Sequence, residues 1–250
     1  MSRAANTTFS KERDLVAAFC AAIPQRISEK WTCYHETAGF DLLLAHASGV
    51  QCGVEAKLTL NPKVLDQALP SDYAIEGPDY RAVLVPASKC QHHMTRIARA
   101  IGVQVIAFDA KWFRDEWLPD PNWSFSIDRW PFWCPERRCT LPDYVPDVIG
   151  GDSAPVQLSI WKIKAIKLLI VLERTGLVTR GDLRALKLSP TRWTDHYVGF
   201  LSPRPDLGGY VRNTRTPDLK AQHPTNWAQI EADFETWSKA LPARQLGLVA

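Results

Sequence analysis

Two carboxylates and one lysine with strand-like spacing are the residues of this sequence best placed to do chemistry. Glu55 and Lys57 are two positions apart in an apolar stretch, so their side chains share one face of a β-strand while Ala56 points to the other. Asp41 lies in the preceding apolar stretch, and antiparallel pairing of the two strands would bring its carboxylate beside Glu55. The spacing therefore predicts an acidic site that also holds an amine.

The chemistry that fits this set of groups is metal-assisted hydrolysis of a phosphodiester. Carboxylate oxygens suit Mg²⁺ or Mn²⁺, which keep several water ligands and accept a phosphate oxygen. Such a cation polarises the scissile phosphate and stabilises the negative charge that develops on it. Lys57, whose pKa can be adjusted by burial and by neighbouring charges, would hold or deprotonate the attacking water.

The pattern alone does not establish a site, because two other interpretations use the same residue types. An acidic residue followed by E-x-K is expected by chance about once in a chain of this length. Glu55 and Lys57 would also make an ordinary ion pair on an exposed strand, with Asp41 in a turn. A rival triplet, Asp109-Ala110-Lys111, follows a later apolar stretch, but it has no acidic residue on an adjacent hairpin strand. The order of the surrounding elements therefore favours the first site.

Hydrophobic periodicity and turn residues predict the elements that would position these side chains. The predicted order is a helix at 9–23, strands at 31–35, 40–46 and 51–58, a helix at 62–69, a strand at 81–85, a helix at 88–100 and a strand at 103–108. Ser10 is the predicted N-cap of the first helix, and Pro24 is its predicted end. Gly39 and Ser48-Gly49 indicate tight turns, so the first three strands form an antiparallel meander. This order predicts an α/β (α+β) fold with a mixed sheet flanked by helices.

This order of elements, with Asp41 on the second strand and an E-x-K motif on the third, resembles the PD-(D/E)xK restriction-endonuclease-like superfamily over about residues 9–109. The resemblance implies that Asp41 and Glu55 are metal ligands and that the Ala56 carbonyl completes the inner shell. It also implies that Lys57 activates the attacking water.

The resemblance points to two further polar residues and leaves an inactive alternative open. Many members of the superfamily add an acidic residue from the first helix, a place held here by Glu12. Some add a glutamine on the helix after the third strand, where Gln67 lies ten residues beyond Lys57. Phe40 stands where a proline often precedes the aspartate. Because the superfamily also includes purely structural members, a non-catalytic scaffold is the alternative to an active nuclease.

A proline- and tryptophan-rich connector is predicted at 116–155, after a nuclease-like domain at 1–115. Seven prolines between 119 and 155 argue against regular secondary structure there. Its aromatic residues are expected to hold the connector on the first domain, with base stacking as the alternative. These residues are Trp123, Phe125, Trp130, Phe132 and Trp133. The cysteines lack zinc-site spacing apart from one pair at 134 and 139, so inert thiols are favoured over a structural zinc.

A small winged helix-turn-helix domain is predicted at 156–215. Helices are expected at 160–174, 179–186 and 191–200, followed by a wing at 203–212. Residues 156–220 include 12 basic and 5 acidic side chains, against 16 and 18 in residues 1–150. Such asymmetry favours a nucleic-acid surface in the second half. A solvated basic face and a protein-interaction module stay open as alternatives.

Eight residues of this domain are predicted to contact DNA. Recognition helices place their N-terminal side chains against base edges, which makes Thr191, Arg192 and Thr194 the candidate readers. The candidates for phosphate contacts are Arg180, Arg184, Lys187, Arg204 and Arg212. The remaining segment, 216–250, is predicted to hold an amphipathic helix at Trp227–Leu241.

Together these features predict a Mg²⁺-dependent DNA endonuclease that is cytoplasmic and uses the winged helix for recognition. The polar N-terminus lacks the apolar stretch of a secretory signal, and no apolar run is long enough to span a bilayer. The layout loosely resembles the transposon-end-cleaving endonuclease subunits, which also join the two kinds of domain. This resemblance is one of architecture, and restriction or phage-encoded nucleases fit the layout equally well. A homodimer or a protein partner is left open. The alternative functions are a non-catalytic DNA-binding regulator and a phage or host interaction protein.

Overall fold

The computed structural model describes residues 9–27, 30–71, 75–111, 118–119, 130–151 and 157–242. Contacts divide the chain into two units, and each has an apolar core of its own. The first unit comprises Met1–Leu141 and Val148–Gln157, and the second comprises Pro142–Asp147 and Leu158–Ala250. No helix in the described part of the chain is both long and apolar enough to cross a membrane.

A five-stranded mixed sheet forms the centre of the first unit. Its strands are, in spatial order, β1 (Trp31–Thr37), β2 (Phe40–His46), β3 (Gln51–Ala56), β5 (Tyr80–Pro86) and β6 (Gln104–Phe108). Tight turns join β1 to β2 and β2 to β3, so these pairs are antiparallel, as predicted. A helix lies in each of the next two connections, so β5 runs parallel to β3 and β6 parallel to β5. The predicted mixed sheet is therefore confirmed.

Three helices pack on the two faces of this sheet: α1 (Glu12–Arg26), α2 (Pro62–Ala68) and α3 (His92–Ala100). The predicted apolar stripe of α1 packs with even-numbered strand residues such as Val54 and Leu84. The apolar residues of α2 and α3 pack with odd-numbered ones such as Val83 and Val85. Because alternate residues of a strand point to opposite faces, the helices flank the sheet on both sides.

The ends of α1 differ from their prediction. The helix begins at Glu12, not directly after Ser10, and its last turn runs past Pro24. That turn is held by Ile27, whose side chain is buried in the core and whose N–H donates to the carbonyl of Ile23 over 2.8 Å. The start of α3 is also later than predicted, because a single 3₁₀ turn precedes it.

The segment 130–141 packs onto the first unit. Trp133 donates its Nε1–H to the carbonyl of Gly102 over 2.8 Å and packs against the α2 and α3 cluster, while Trp130 packs against the α1 cluster. The expectation that aromatic residues hold this stretch is confirmed for these two tryptophans. Two other aromatic residues of the prediction lie outside the described ones: Trp123 and Phe125. The segment also adds a two-residue strand, β7 (Arg137–Arg138), which pairs in parallel with β4 (Glu76–Gly77).

The described part of the second unit consists of one long helix, several short helices and a two-stranded hairpin. In chain order these are α4 (Ile160–Thr175), α5 (Arg180–Ala185), α6 (Pro190–Thr194), β8 (Leu201–Arg204), β9 (Gly209–Arg212), α7 (Leu219–Gln222), α8 (Pro224–Ala232) and α9 (Phe234–Trp237). As predicted, α4 ends at Gly176, which has a left-handed φ of 70°. Thr179 and Asp182 form a capping box at the start of α5. Trp193 and Trp227 are buried in the core.

The third helix of this unit is shorter than predicted. It was expected to reach Phe200 but ends at Thr194. The Asp195 carboxylate accepts hydrogen bonds from the N–H groups of Tyr197 and Val198, at 2.8 and 2.9 Å. This local turn competes with the helical hydrogen bonds and ends the helix.

The bounds predicted for the last helix, Trp227–Leu241, are also wrong. It begins three residues earlier, at Pro224, because the Asp147 carboxylate accepts hydrogen bonds from two first-turn N–H groups, each over 3.1 Å. It stops at Ala232, and α9 and a 3₁₀ turn follow it.

Candidate active site

Asp41 and Glu55 directly follow the last paired residues of β2 and β3. Leu42 pairs with Val54, so the same register continued by one residue brings Asp41 beside Glu55, and the charge of Asp41 raises the pKa of Glu55. The backbone N–H of Ala56 donates to Asp41 Oδ2 over 2.8 Å, which ties this carboxylate to the last residue of β3. The structure thus brings together the residues that were predicted as metal ligands.

Lys57 and Glu12 meet at the same end of β3. Lys57 Nζ lies 2.7 Å from Glu12 Oε2, and 25% and 30% of the two side chains are exposed. The backbone N–H of Lys57 donates to the carbonyl of Leu84 over 3.0 Å, which extends the pairing of β3 with β5 by one residue. The acidic residue predicted from the first helix is therefore in direct contact with the predicted lysine.

Burial and neighbouring negative charges raise the pKa values of both carboxyl groups. Burial, followed by the charge of Asp41, raises the pKa of Glu55 to about 8, although the charge of Lys57 opposes the rise. Burial also raises the pKa of Asp41, against the opposing effects of the Ala56 N–H and the Lys57 charge. Glu55 is therefore mostly protonated at neutral pH unless further positive charge is brought near it.

The charges around Lys57 keep its amine protonated. Burial alone would lower the pKa of Lys57, but the hydrogen bond to Glu12 and the charges of the neighbouring carboxylates outweigh this effect and raise it. In this arrangement Lys57 is a hydrogen-bond donor and a positive charge. It can act as a base only after a proton passes to an acceptor, and Glu12 is the acceptor in contact with it.

The donor groups at Asp41 and Glu55 fit a divalent cation that keeps most of its waters. Within the described ranges, no three His, Cys, Asp or Glu side chains converge to form a complete metal cage. Mg²⁺ does not require one, because one or two carboxylates and several waters are its usual ligands. The Glu55 carboxyl accepts no hydrogen bond from the described residues, and its raised pKa indicates that positive charge would be favourable there.

Glu36 lies near the same acidic residues, although the sequence pattern did not predict it as a site residue. β1 and β2 pair on both sides of the position where Glu36 is opposite Asp41, and the charge of Glu36 contributes to the raised pKa of Glu55. The sequence feature that could have indicated Glu36 is the short turn Ala38-Gly39 between β1 and β2. Both turn residues have a positive φ, 56° and 86°. Such a turn fixes the hairpin register and therefore sets residue 36 across from residue 41.

The remaining candidate residues of the first unit make no hydrogen bond to Asp41 or Glu55 in the described part of the chain. Gln67 is exposed on α2, and in the described part of the chain no hydrogen bond joins it to the acidic residues. Its role at the site therefore stays a prediction. In the rival triplet, the Asp109 carboxylate accepts the N–H of Lys111 over 3.0 Å. These two residues therefore form a local turn after β6.

Two of the predicted phosphate-binding arginines are paired with acids of the second unit. Arg204 donates two hydrogen bonds to Asp206, at 2.9 and 2.7 Å. Arg212 donates to Glu173 over 3.2 Å. Each must give up this partner, or share it, to reach a phosphate.

Two other predicted arginines contact aromatic side chains. The Arg192 guanidinium lies 4.4 Å from the ring centre of Trp161 and 5.6 Å from that of Phe200. Arg180 donates its Nε–H to the hydroxyl of Tyr210 over 3.0 Å. Both arginines remain exposed, so these contacts orient their side chains without removing them from the surface.

The other four predicted DNA-binding residues differ in their availability. Arg184, Lys187 and Thr191 are exposed, and within the described residues none of their side chains has a hydrogen-bond or ion-pair partner. Thr194 is partly buried, and its hydroxyl donates to the carbonyl of Pro190 over 3.0 Å. The surface candidates are therefore the first three.

An ordered turn at Asp195–Gly199 occupies the place of the predicted second half of the recognition helix. Tyr197 is 80% exposed and Val198 is 70% exposed. The Arg215 guanidinium donates to the Tyr197 carbonyl, and Asn213 donates to the carbonyl of residue 199 over 3.1 Å. The second unit thus displays two apolar side chains on a well-fixed turn, which the sequence analysis did not predict.

No match to this chain is found among protein-family models, curated proteins or solved structures. Its function must therefore be inferred from two places. One is the cluster at Asp41, Glu55 and Lys57, and the other is the exposed surface of the second unit.

Proposed function

We propose that this chain is a metal-dependent DNA endonuclease of the PD-(D/E)xK type, with its active site in the first unit and a DNA-binding winged helix in the second. The observation that carries the proposal is the convergence of Asp41, Glu55 and Lys57 at the end of β3. A five-stranded mixed sheet with helices on both faces supports the superfamily. A strongly raised carboxyl pKa beside an amine is also more typical of active sites than of surface ion pairs.

Asp41, Glu55 and the Ala56 carbonyl would hold Mg²⁺ or Mn²⁺. When bound, this cation would polarise the scissile phosphate and offset the charge that develops on its oxygens. Glu55 would release its proton on binding, because added positive charge removes the penalty that raises its pKa. Asp41 would stay oriented by the Ala56 N–H.

Lys57 and Glu12 would handle the proton of the attacking water. Lys57 passes one proton to Glu12 along their 2.7 Å contact, which leaves a neutral amine. That amine takes a proton from the water as the water oxygen attacks phosphorus. The bond from phosphorus to the sugar oxygen breaks, and the departing oxygen takes a proton from solvent.

The second unit would supply the DNA-binding surface. Three helices followed by a two-stranded hairpin occur in the chain order of a winged helix-turn-helix. Residues 156–220 include 12 basic and 5 acidic side chains, a balance that suits the phosphate backbone. Arg184, Lys187 and Thr191 are the most available contacts, because they are exposed and unpaired within the described residues.

The proposal is tested by incubating the purified chain with supercoiled and linear duplex DNA in Mg²⁺, Mn²⁺ or Ca²⁺. We expect cleavage with Mg²⁺ or Mn²⁺, and a loss of about 1,000-fold in Lys57→Ala. Lys111→Ala is the matched control, because it changes the lysine of the rival triplet, and it should cleave normally. Circular dichroism should be the same for both variants. Cleavage that survives Lys57→Ala, or that is absent with every cation, contradicts the proposal.

One observation favours a second candidate, a non-catalytic DNA-binding regulator. The contact with Glu12 holds Lys57 in its charged form, as a purely structural ion pair would. A regulator would bind DNA with a steep salt dependence, and neither Asp41→Asn nor Lys57→Ala would alter that binding. Salt-dependent binding without cleavage in any cation would select the regulator over the nuclease.

A further inference from the structure

Two glycines far along the chain reach the acidic cluster of the first unit. Gly150 donates its N–H to His35 Nδ1 over 3.0 Å, and Gly151 donates its N–H to Glu36 Oε1 over 2.9 Å. His35 and Glu36 lie near the end of β1, which is the edge strand next to β2. The glycine pair therefore contacts β1 at the residues that lie next to Asp41 of β2.

The contacts of these residues require glycine at both positions. A Cβ atom on Gly150 would lie 2.0 Å from the carbonyl oxygen of Asp41. A Cβ atom on Gly151 would lie 3.1 to 3.2 Å from atoms of Glu12 and Arg13, and φ at Gly151 is +79°. The glycine pair is thus packed against the backbones of Asp41 and Glu12, two residues of the proposed site.

We propose that Gly150-Gly151 is a strap that positions Asp41 and Glu12, with His35 and Glu36 as its anchors. This inference rests on the proposed function and adds positioning residues to it. The anchor at His35 needs an unprotonated Nδ1 to accept the Gly150 N–H, and burial favours that form by lowering the pKa of His35.

The strap would fix the positions of Asp41 and Glu12 because it is packed tightly against the backbones of both residues. A methyl group on Gly150 must displace either the strap or the Asp41 carbonyl, since 2.0 Å is far inside van der Waals contact. A misplacement of about 1 Å in an active site lowers the rate by about 100-fold. Asp41 and Glu12 belong to different elements, β2 and α1, and the strap contacts both backbones.

The first test compares Gly150→Ala with Gly49→Ala. Gly49 is also in the first unit and has a φ of +89°, but a Cβ there would meet only the end of the Arg138 side chain. We expect Gly150→Ala to lower kcat by about 100-fold, with KM for DNA within about threefold of the original. Gly49→Ala should keep both values. Equal kcat in the two variants overturns the proposal.

The second test changes the anchor and leaves the glycines in place. Asparagine can present Oδ1 near the position of the imidazole Nδ1, so His35→Asn can still accept the Gly150 N–H, whereas His35→Leu cannot. We expect kcat to fall about 30-fold in His35→Leu and to be largely restored in His35→Asn. If His35→Leu and His35→Asn have the same kcat, His35 does not act as an anchor through this hydrogen bond, and the proposed strap is wrong.

A third measurement separates the strap from the proposed nuclease activity. The Ala56 N–H is held by Asp41, so displacement of Asp41 should speed hydrogen exchange at this amide. We expect about 10-fold faster exchange in Gly150→Ala and His35→Leu, but not in Gly49→Ala. Unchanged exchange at Ala56 overturns the strap. The expected exchange in a chain that never cleaves DNA overturns only the proposed function.

Discussion

The two units hold their candidate functional residues by different physical means. In the first unit, Asp41, Glu55 and Lys57 are buried or partly buried, and they are placed by strand register and by hydrogen bonds. In the second unit, most of the predicted DNA-binding side chains are exposed, and Arg204 and Arg212 are paired with acids of the same unit. Burial makes each charge of the first site costly, whereas solvent screens the charges of the second.

Because of this difference, the two units should respond to substitution in different ways. A carboxyl whose pKa is raised to about 8 opposes folding when it ionises, so Glu55 is kept at a cost to stability. Exposed cations such as Arg184 and Lys187 carry no such cost. Changes in the first unit should therefore alter catalysis strongly and can raise stability, whereas changes in the second should alter affinity moderately.

The ion pair between Glu12 and Lys57 in the first unit should be highly sensitive to substitution. Glu12→Gln keeps an acceptor for Lys57 but removes the charge that would take up its proton. We expect kcat to fall about 100-fold while DNA affinity stays unchanged. Steady-state cleavage and equilibrium binding on the same DNA measure the two quantities. Asp14→Asn, an exposed acid on the same helix, is the matched control. If the Glu12→Gln variant cleaves DNA normally, Glu12 does not accept the proton of Lys57 and serves only as its ion-pair partner.

The next effect concerns the stability of the first unit as pH changes. Unfolded Glu55 loses its proton near its ordinary pKa of 4.5, whereas the folded chain keeps that proton up to about pH 8. Between these values the folded state binds more protons than the unfolded state, so stability falls as pH rises. Since one pKa unit is worth about 1.4 kcal/mol, we expect a loss of roughly 2 kcal/mol between pH 5 and 9 without divalent cations, after allowance for residual solvent contact.

Comparison with Glu55→Gln isolates this contribution from other titrating groups. Urea unfolding in a chelator should give the variant a smaller loss of stability over the same pH range. Above pH 8, Mg²⁺ should stabilise the original chain but not the variant, because a cation that binds only the folded state shifts the equilibrium towards it. The same pH slope in both chains would show that Glu55 carries no such cost, and the contrast between the units would weaken.

The two units also differ in how far the sequence could predict them. Strand alternation and the short turn at Ser48-Gly49, which joins β2 to β3, fix the register of this hairpin locally, so Asp41 and Glu55 could be paired in advance. The strap could not be predicted, because Gly150 meets His35 across 115 residues of chain and only tertiary packing sets that contact.

Two helix boundaries in the second unit, the end of α6 and the start of α8, differ from their predictions for a related reason. Apolar periodicity favours a helix through residue 200, but the Asp195 side chain forms a turn with its own backbone neighbours. The start of α8 depends on Asp147, which precedes Pro224 by many residues and caps the helix through a tertiary contact. Side-chain competition of this kind leaves little trace in a hydrophobic pattern.

A smaller effect should separate exposed cations from paired ones. Arg184→Ala should lower DNA affinity about 10-fold and reduce the salt dependence by about one released ion. Arg204→Ala is the matched change, because Arg204 must first leave Asp206, and we expect a loss of only about twofold. Fluorescence anisotropy over a salt series measures both. Equal losses would mean that internal pairing does not restrain these arginines.

Substitution of Tyr197 should have only a modest effect on DNA binding, and it tests whether the surface of the second unit acts through charge alone. Its ring is 80% exposed, so Tyr197→Ala should change the free energy of unfolding by less than about 0.5 kcal/mol. A ring that contacts DNA contributes about 1 kcal/mol, so we expect about fivefold weaker binding. Ile97→Ala, which alters a 48% exposed apolar side chain of the first unit, is the control and should bind normally. Because neither substitution removes a charge, a loss confined to Tyr197→Ala cannot come from altered screening. Such a loss would show that the second unit binds DNA partly through a fixed apolar side chain. Unchanged binding would show that it binds DNA through exposed cations alone.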